Sequence, residues 1–149
     1  MTAIRGKDFA DLVYRILISE KQRAIEDVSQ DLGMKYQTFY SRINGRVPFS
    51  ADEINALLRT IPDKRLADLL LHGTGFIAVE REDAKGPINL ESVRSGATAT
   101  LLEASDVVRE VEAGLLDNVI DHRDRARIDA EIQDAERALA SLREKLSRL

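Results

Sequence analysis

Apolar residues recur at spacings of three and four along most of the chain, the repeat that gives a helix one buried stripe. Phe9, Leu12, Val13, Ile16 and Leu17 form such a stripe and predict a first helix over Lys7 to Ser19. Ile25, Val28 and Leu32 predict a second, stopped by Gly33, a residue suited to a left-handed helix end. A third runs from about Lys35 to Ile43 and stops at the turn pair Asn44-Gly45. Ser50-Ala-Asp-Glu53 has the spacing of a capping box ahead of a fourth helix carrying Ile54, Leu57, Leu58 and Ile61. Pro62 closes that helix and suits the first turn of the next. Leu66, Leu69 and Leu70 are expected to bury a fifth helix, ending at Gly73-Thr-Gly75. Five short helices in this order predict an all-α domain over residues 1–75.

The pattern changes after residue 75. Phe76-Ile-Ala-Val-Glu80 is β-like, and suits either a strand or an extended segment packed on a neighbour. Arg81 to Asn89, with Gly86-Pro87, reads as a linker, so 76–89 is expected to separate two regions. Within 90–149, a helix from about Leu90 to Leu116 carries Leu101, Ala104, Val108, Val111 and Leu115. Asp117 to Asp121 breaks it, and Asp121 can cap a new helix. Ile128, Ile132, Ala135, Leu139, Leu142, Leu146 and Leu149 then alternate spacings of four and three, a heptad seam surrounded by charge. So narrow a seam calls for a partner helix. The preceding helix can fold back as one partner, and other copies of the chain can supply more, as a dimer or tetramer. The alternative is a hairpin closed within a monomer.

Composition narrows the setting. The formal net charge is −4, yet residues 1–75 hold 11 basic against 10 acidic residues, while 76–149 hold 11 against 16. Any nucleic-acid face must therefore be local to the first half and multiplied by association. The chain has no Cys, which removes disulfide and thiolate chemistry and fits a reducing cytosol. No apolar run is long enough to span a membrane, and the polar opening is unlike a signal peptide, so a cytoplasmic location is expected.

Val28 to Arg46 is short helix, glycine turn, short helix, the outline of a helix-turn-helix. At roughly 100° per residue, Tyr36, Phe39, Tyr40 and Ile43 share the side that can seat the third helix on a core. Gln37, Thr38, Ser41 and Arg42 face away, with Lys35 at the edge. Leu32 to Ala51 contains no Asp or Glu but has Lys35, Arg42 and Arg46. The expected contact set for double-stranded DNA is Lys35, Tyr36, Gln37, Thr38, Tyr40, Ser41 and Arg42 in the major groove, with Arg46 on a phosphate. An ordinary helical hairpin with a solvated polar face is the plainer alternative.

Catalytic chemistry has little footing. His72 follows three leucines at a helix end, and His122 lies between Asp121 and Arg123; neither has zinc-ligand spacing to a partner. Gly73-Thr-Gly75 lacks the later glycine and the lysine of a phosphate loop. No nucleophile has a base beside it. No enzyme activity, cofactor or metal is expected.

The Gly33-Met34 turn, the Thr38-Phe39-Tyr40-Ser41-Arg42-Ile43-Asn44 helix, the Ser50-Ala-Asp-Glu-Ile helix and Asp63-Lys-Arg-Leu-Ala-Asp-Leu-Leu resemble the phage regulatory protein CII family, as does the Ile120-to-Ile132 segment. The resemblance covers most of the chain. It implies a lambda-repressor-like helix-turn-helix domain followed by a helical oligomerisation region. The function implied is a transcriptional regulator of a temperate phage, an activator promoting lysogeny, acting as a homo-oligomer with RNA polymerase as a candidate contact. A repressor is the alternative within regulation, and a coiled-coil interaction protein without DNA binding is the alternative outside it. Ser29 stands where a small apolar residue is usual, and Arg42 where an apolar residue often packs, with Ile43 taking over that packing.

Overall fold

The computed structural model describes residues 6–81, 86–116 and 119–149. Residues 82–85 of the expected linker, 117 and 118 of the expected break, and 1–5 of the polar opening lie outside the described residues. The fold is all-α. The chain divides into two compact units, Met1–Ala78 and Val79–Leu149.

In the first unit the helices are α1 (Lys7–Tyr14), α2 (Ile25–Asp31), α3 (Tyr36–Ile43), α4 (Ala51–Thr60) and α5 (Lys64–Leu71). The first predicted helix is split. A π-helical segment, Arg15–Ser19, continues α1 without a break, and the N–H of Glu20 reaches the carbonyl of Arg15 at 2.9 Å. The wider turn keeps Ile16 and Leu17 buried with Phe9 and Val13 in one core. That core is completed by Ile25, Val28, Phe39, Ile43, Leu57, Ile61 and Leu66, so that each helix or its cap supplies one or two residues. Ile54, Leu58 and Leu69 pack on it from the side, whereas Leu70, expected inside, faces out.

Local chemistry sets the helix ends. Ser50 and Glu53 form both halves of the predicted capping box, the Glu53 N–H donating to Ser50 Oγ at 3.3 Å and the Ser50 N–H to Glu53 Oε2 at 2.6 Å. Asp63, not Pro62, starts α5: its side chain accepts from the N–H of Arg65, and Pro62 stands one residue before the cap. The proline is therefore a helix stop here and not a first-turn residue. Phe76 to Val79 forms no strand, and none occurs among the described residues; a lone strand would have no partner to share its hydrogen bonds.

The second unit is built on two long helices, α6 (Leu90–Gly114) and α7 (His122–Ser147), packed against each other. Asn89 with Ser92 caps α6, and Asp121 with Asp124 caps α7 as its spacing predicts. The faces that meet differ from expectation. The helices approach closely at two glycines: a Cβ on Gly96 would lie 3.3 Å from Leu142 Cδ1, and one on Gly114 would lie 3.5 Å from Ile128 Cδ1. Glu103 and Glu110 lie on the same side of α6, Glu110 pairing with Arg127 at 3.3 Å. The expected α6 stripe is turned away: Leu101 is 67% exposed, Ala104, Val108 and Leu115 are also exposed, and Val111 is half-buried. The α7 seam splits into two rows seven apart. Ile128, Ala135 and Leu142 lean toward α6, while Ile132, Leu139 and Leu146 stay exposed, as does Leu149 at the helix end. Small residues let α6 sit close, so one row of α7 is enough to close the hairpin.

Candidate nucleic-acid interface

α2 and α3 are joined by four residues, Leu32 to Lys35, and the join is made by backbone hydrogen bonds. Gly33 has φ +63°. Its N–H donates to the carbonyl of Gln30 at 2.9 Å, and the N–H of Met34 to that of Ser29 at 2.9 Å. This double closure of a helix end needs the left-handed residue that glycine supplies at least cost. The same closure ends α3: Gly45 has φ +68°, its N–H reaches Arg42, and the Arg46 N–H reaches Ser41 at 3.1 Å. Asn44 adds a side-chain bond from Nδ2 to the carbonyl of Tyr40 at 2.7 Å. One glycine turn thus closes α2 just ahead of α3, and a second closes α3 itself. Ser29 is buried, and its hydroxyl is satisfied by donating to the carbonyl of Glu26 at 2.8 Å, which makes it an adequate substitute for a small apolar residue.

Phe39 and Ile43 anchor α3, at 0% and 1% exposure. Lys35, Gln37 and Thr38 are exposed, and Ser41 is half-buried. Tyr36 and Tyr40 do not seat the helix. They are 43% and 40% exposed, and their rings stack on each other with centroids 5.7 Å apart and planes 13° from parallel. Four residues apart, they are neighbours on a helix surface, and with Phe39 and Ile43 filling the core side their rings cover each other instead. Aromatic packing underneath is supplied by Phe49, which meets Phe39 edge-on at 6.3 Å and Phe9 at 5.7 Å.

Arg42 departs from the outward face. Its Nη2 lies 3.0 Å from Glu53 Oε1, and its Nη1 donates to the carbonyl of Pro48. Arg46 is exposed just beyond the glycine turn. α3 has no acidic residue in its first turn, and Lys35 makes no side-chain cap. The Arg42–Glu53 pairing leaves no sign in the sequence, because the capping-box pattern already accounts for Glu53 and the two lie eleven positions apart.

The second unit holds an acidic group that spacing did not reveal. Carboxylate oxygens of Glu103, Glu131 and Asp134 lie within 4.8 Å of one another. Arg137 pairs with Asp134, and Arg137 and Lys145 line the same cleft of about 400 Å3 with Glu103 and Asp134, so basic charge offsets the acid. No helix among the described residues is long and apolar enough to cross a membrane.

The family model described as Phage regulatory protein CII (CP76) matches residues 8–148. No curated protein matches the chain.

Proposed function

The chain belongs to the phage regulatory protein CII family, and on that premise we propose that it is a sequence-specific, double-stranded-DNA-binding transcriptional regulator, an activator promoting lysogeny that works as a homo-oligomer. The observation that carries the reading is α3. It is held to the core by Phe39 and Ile43, follows the glycine turn that closes α2, is itself closed by the turn at Gly45, and presents Lys35, Gln37 and Thr38 to solvent within a stretch free of Asp and Glu from Leu32 to Ala51. Amide, hydroxyl and ammonium groups on a fixed helix can match donors and acceptors on base edges, which flexible side chains on a loose helix do at a larger entropy cost.

In this reading α2, the turn and α3 act as the helix-turn-helix, with α3 in the major groove. Lys35, Gln37, Thr38 and Ser41 face base edges. Tyr36 and Tyr40, held as a stacked pair, offer hydroxyls to the flanking phosphates, and Arg46 holds a phosphate past the helix end. Residues 1–75 carry DNA, 76–89 link, and 90–149 associate. The exposed rows Leu101, Val108 and Leu115 on α6 and Ile132, Leu139 and Leu146 on α7 repeat every seven residues, the period that another helix of the same kind would fill. Pairing two copies would set two α3 helices on one DNA face, about 34 Å apart or a multiple of it. A tetramer adds a second pair. Any contact with RNA polymerase would follow from where the site lies relative to a promoter.

The test is selection of duplexes from a random-sequence library, followed by anisotropy titration of the enriched duplex at several salt concentrations. Enrichment with affinity that falls steeply with salt is expected. Enrichment of no duplex overturns the DNA reading. Transcription from a template carrying the enriched site then distinguishes activation from repression.

A further inference from the structure

Arg42 lies on the recognition helix and is a long basic residue of the kind that reads guanine, yet its guanidinium is spent inside the fold. Nη2 is 3.0 Å from Glu53 Oε1, and Nη1 donates to the Pro48 carbonyl. The two side chains are only 21% and 20% exposed, and Nε is buried without a hydrogen-bond partner. Glu53 is equally committed. Its other oxygen, Oε2, accepts the Ser50 N–H at 2.6 Å, the reach-back half of the capping box that starts α4. One carboxylate therefore joins the last turn of α3 to the first turn of α4, and the Pro48 carbonyl ties the intervening loop to the same guanidinium.

We propose that Arg42 is a positioning residue and not a base reader: clamped by Glu53 and Pro48, it sets the angle at which α3 presents Lys35, Gln37, Thr38 and Ser41. The proposal rests on the DNA reading of α3 given above. The clamp has the right geometry for the task. Phe39 and Ile43 hold α3 to the core from beneath, but a helix of eight residues seated on two side chains can still roll about its axis. A charged, bidentate-capable group at its C-terminal turn removes that freedom. Reaching a base would require Arg42 to leave Glu53 with an unpaired, largely buried carboxylate, and that cost opposes the move. The pairing also cancels the Arg42 charge, which leaves Lys35 and Arg46 as the basic groups of this stretch.

The substitution that separates the two roles is Glu53→Gln. Gln at the third helical position keeps the capping box, so it removes the ion pair alone. It also deletes a negative charge beside the DNA face, which by itself strengthens binding to a polyanion. Positioning predicts the opposite sign. With the full chain and the duplex enriched by the wild type, Glu53→Gln and Arg42→Gln should each weaken binding by about tenfold, and the double variant should be no weaker than the worse single. The slope of log affinity against log salt should stay at the wild-type value, because no phosphate contact is lost. Tighter binding by Glu53→Gln, or a change of base preference at one position on Arg42→Gln alone, overturns the proposal. A DNA-free readout accompanies these: urea unfolding of the same four proteins should give non-additive losses for residues 42 and 53. Additive losses overturn the clamp whatever happens with DNA. If no duplex is enriched, the DNA reading fails, and the unfolding cycle still decides the clamp.

Discussion

Asp63 accepts the Arg65 N–H at 3.0 Å through Oδ1, and its Oδ2 accepts from Arg65 Nη2 at 2.6 Å and from Gln22 Nε2 at 3.1 Å. Arg65 in turn forks onto Glu20 at 2.9 and 2.6 Å, so one arginine ties the end of the π-helical segment to the start of α5. The Arg65 side chain holds the Asp63 carboxyl well below its ordinary 3.8, at about 2. A lowered folded-state value means the unfolded chain takes up its proton first as pH falls. The stabilisation is complete above about pH 4 and is lost toward about pH 2. Urea midpoints of the wild type should fall across that window, and Asp63→Asn, which keeps a good N-cap, should flatten the fall; an unchanged slope would count against the network. At Gly33 an added Cβ meets nothing within 4 Å, so only the left-handed φ of +63° resists substitution. Gly33→Ala is expected to cost about 1–2 kcal/mol of unfolding free energy, and Arg46→Ala to weaken binding to all DNA sequences alike while lowering the salt slope by about one.

Among the elements, the α6–α7 pair is the most exacting. Gly96 and Gly114 stand where α7 side chains come closest, with Leu142 Cδ1 and Ile128 Cδ1 at 3.3 and 3.5 Å from the Cβ each glycine lacks. Replacing a mid-helix glycine normally gains helix propensity. Gly96→Leu should instead lose about 1–3 kcal/mol in urea unfolding, because the added volume must push Leu142 and Lys145 aside. A gain would mean the helices can part without penalty. In the first unit the matching feature is α3 itself, whose eight residues are too few to persist alone. It exists because Phe39 and Ile43 are buried and its C-terminal end is closed by the turn at Gly45.

At the scale of the molecule, the apolar rows left uncovered on the second unit set the expectation of assembly. Leu139 is 52% exposed, whereas Leu142 packs at Gly96 within the hairpin, so the two leucines of one heptad have separable roles. Leu139→Asp should lower the mass seen by light scattering while helicity by circular dichroism is retained, and should reduce DNA affinity through loss of the paired recognition helix. Leu142→Asp should lower helicity as well, because it puts a charge between α6 and α7. A wild type that scatters as a monomer at tens of micromolar, on the order of ordinary working concentrations, would remove the assembly reading and leave the hairpin as a closed unit.

Helix periodicity, glycine stops and caps are local properties, so the sequence alone determined the all-α class, the order of the short helices, the ends of α2 and α3 at Gly33 and Gly45, and the caps at Ser50 and Asp121. The family resemblance was legible in the same segments. Side-chain destinations depend on groups distant in sequence, and only the tertiary structure decided those. Tyr36 and Tyr40 have helical spacing suited to burial, but Phe39, Ile43 and Phe49 already fill the space beneath. The π-helical turn at Arg15–Ser19 leaves no mark in an apolar stripe that fits an α-helix equally well. Leu101 to Leu115 is the more apolar face of α6, yet the glycine face meets α7, because close approach of two backbones needs absent side chains more than it needs large ones. Arg42 turned inward for the same kind of reason: a carboxylate eleven residues away was within reach once α3 and α4 had packed.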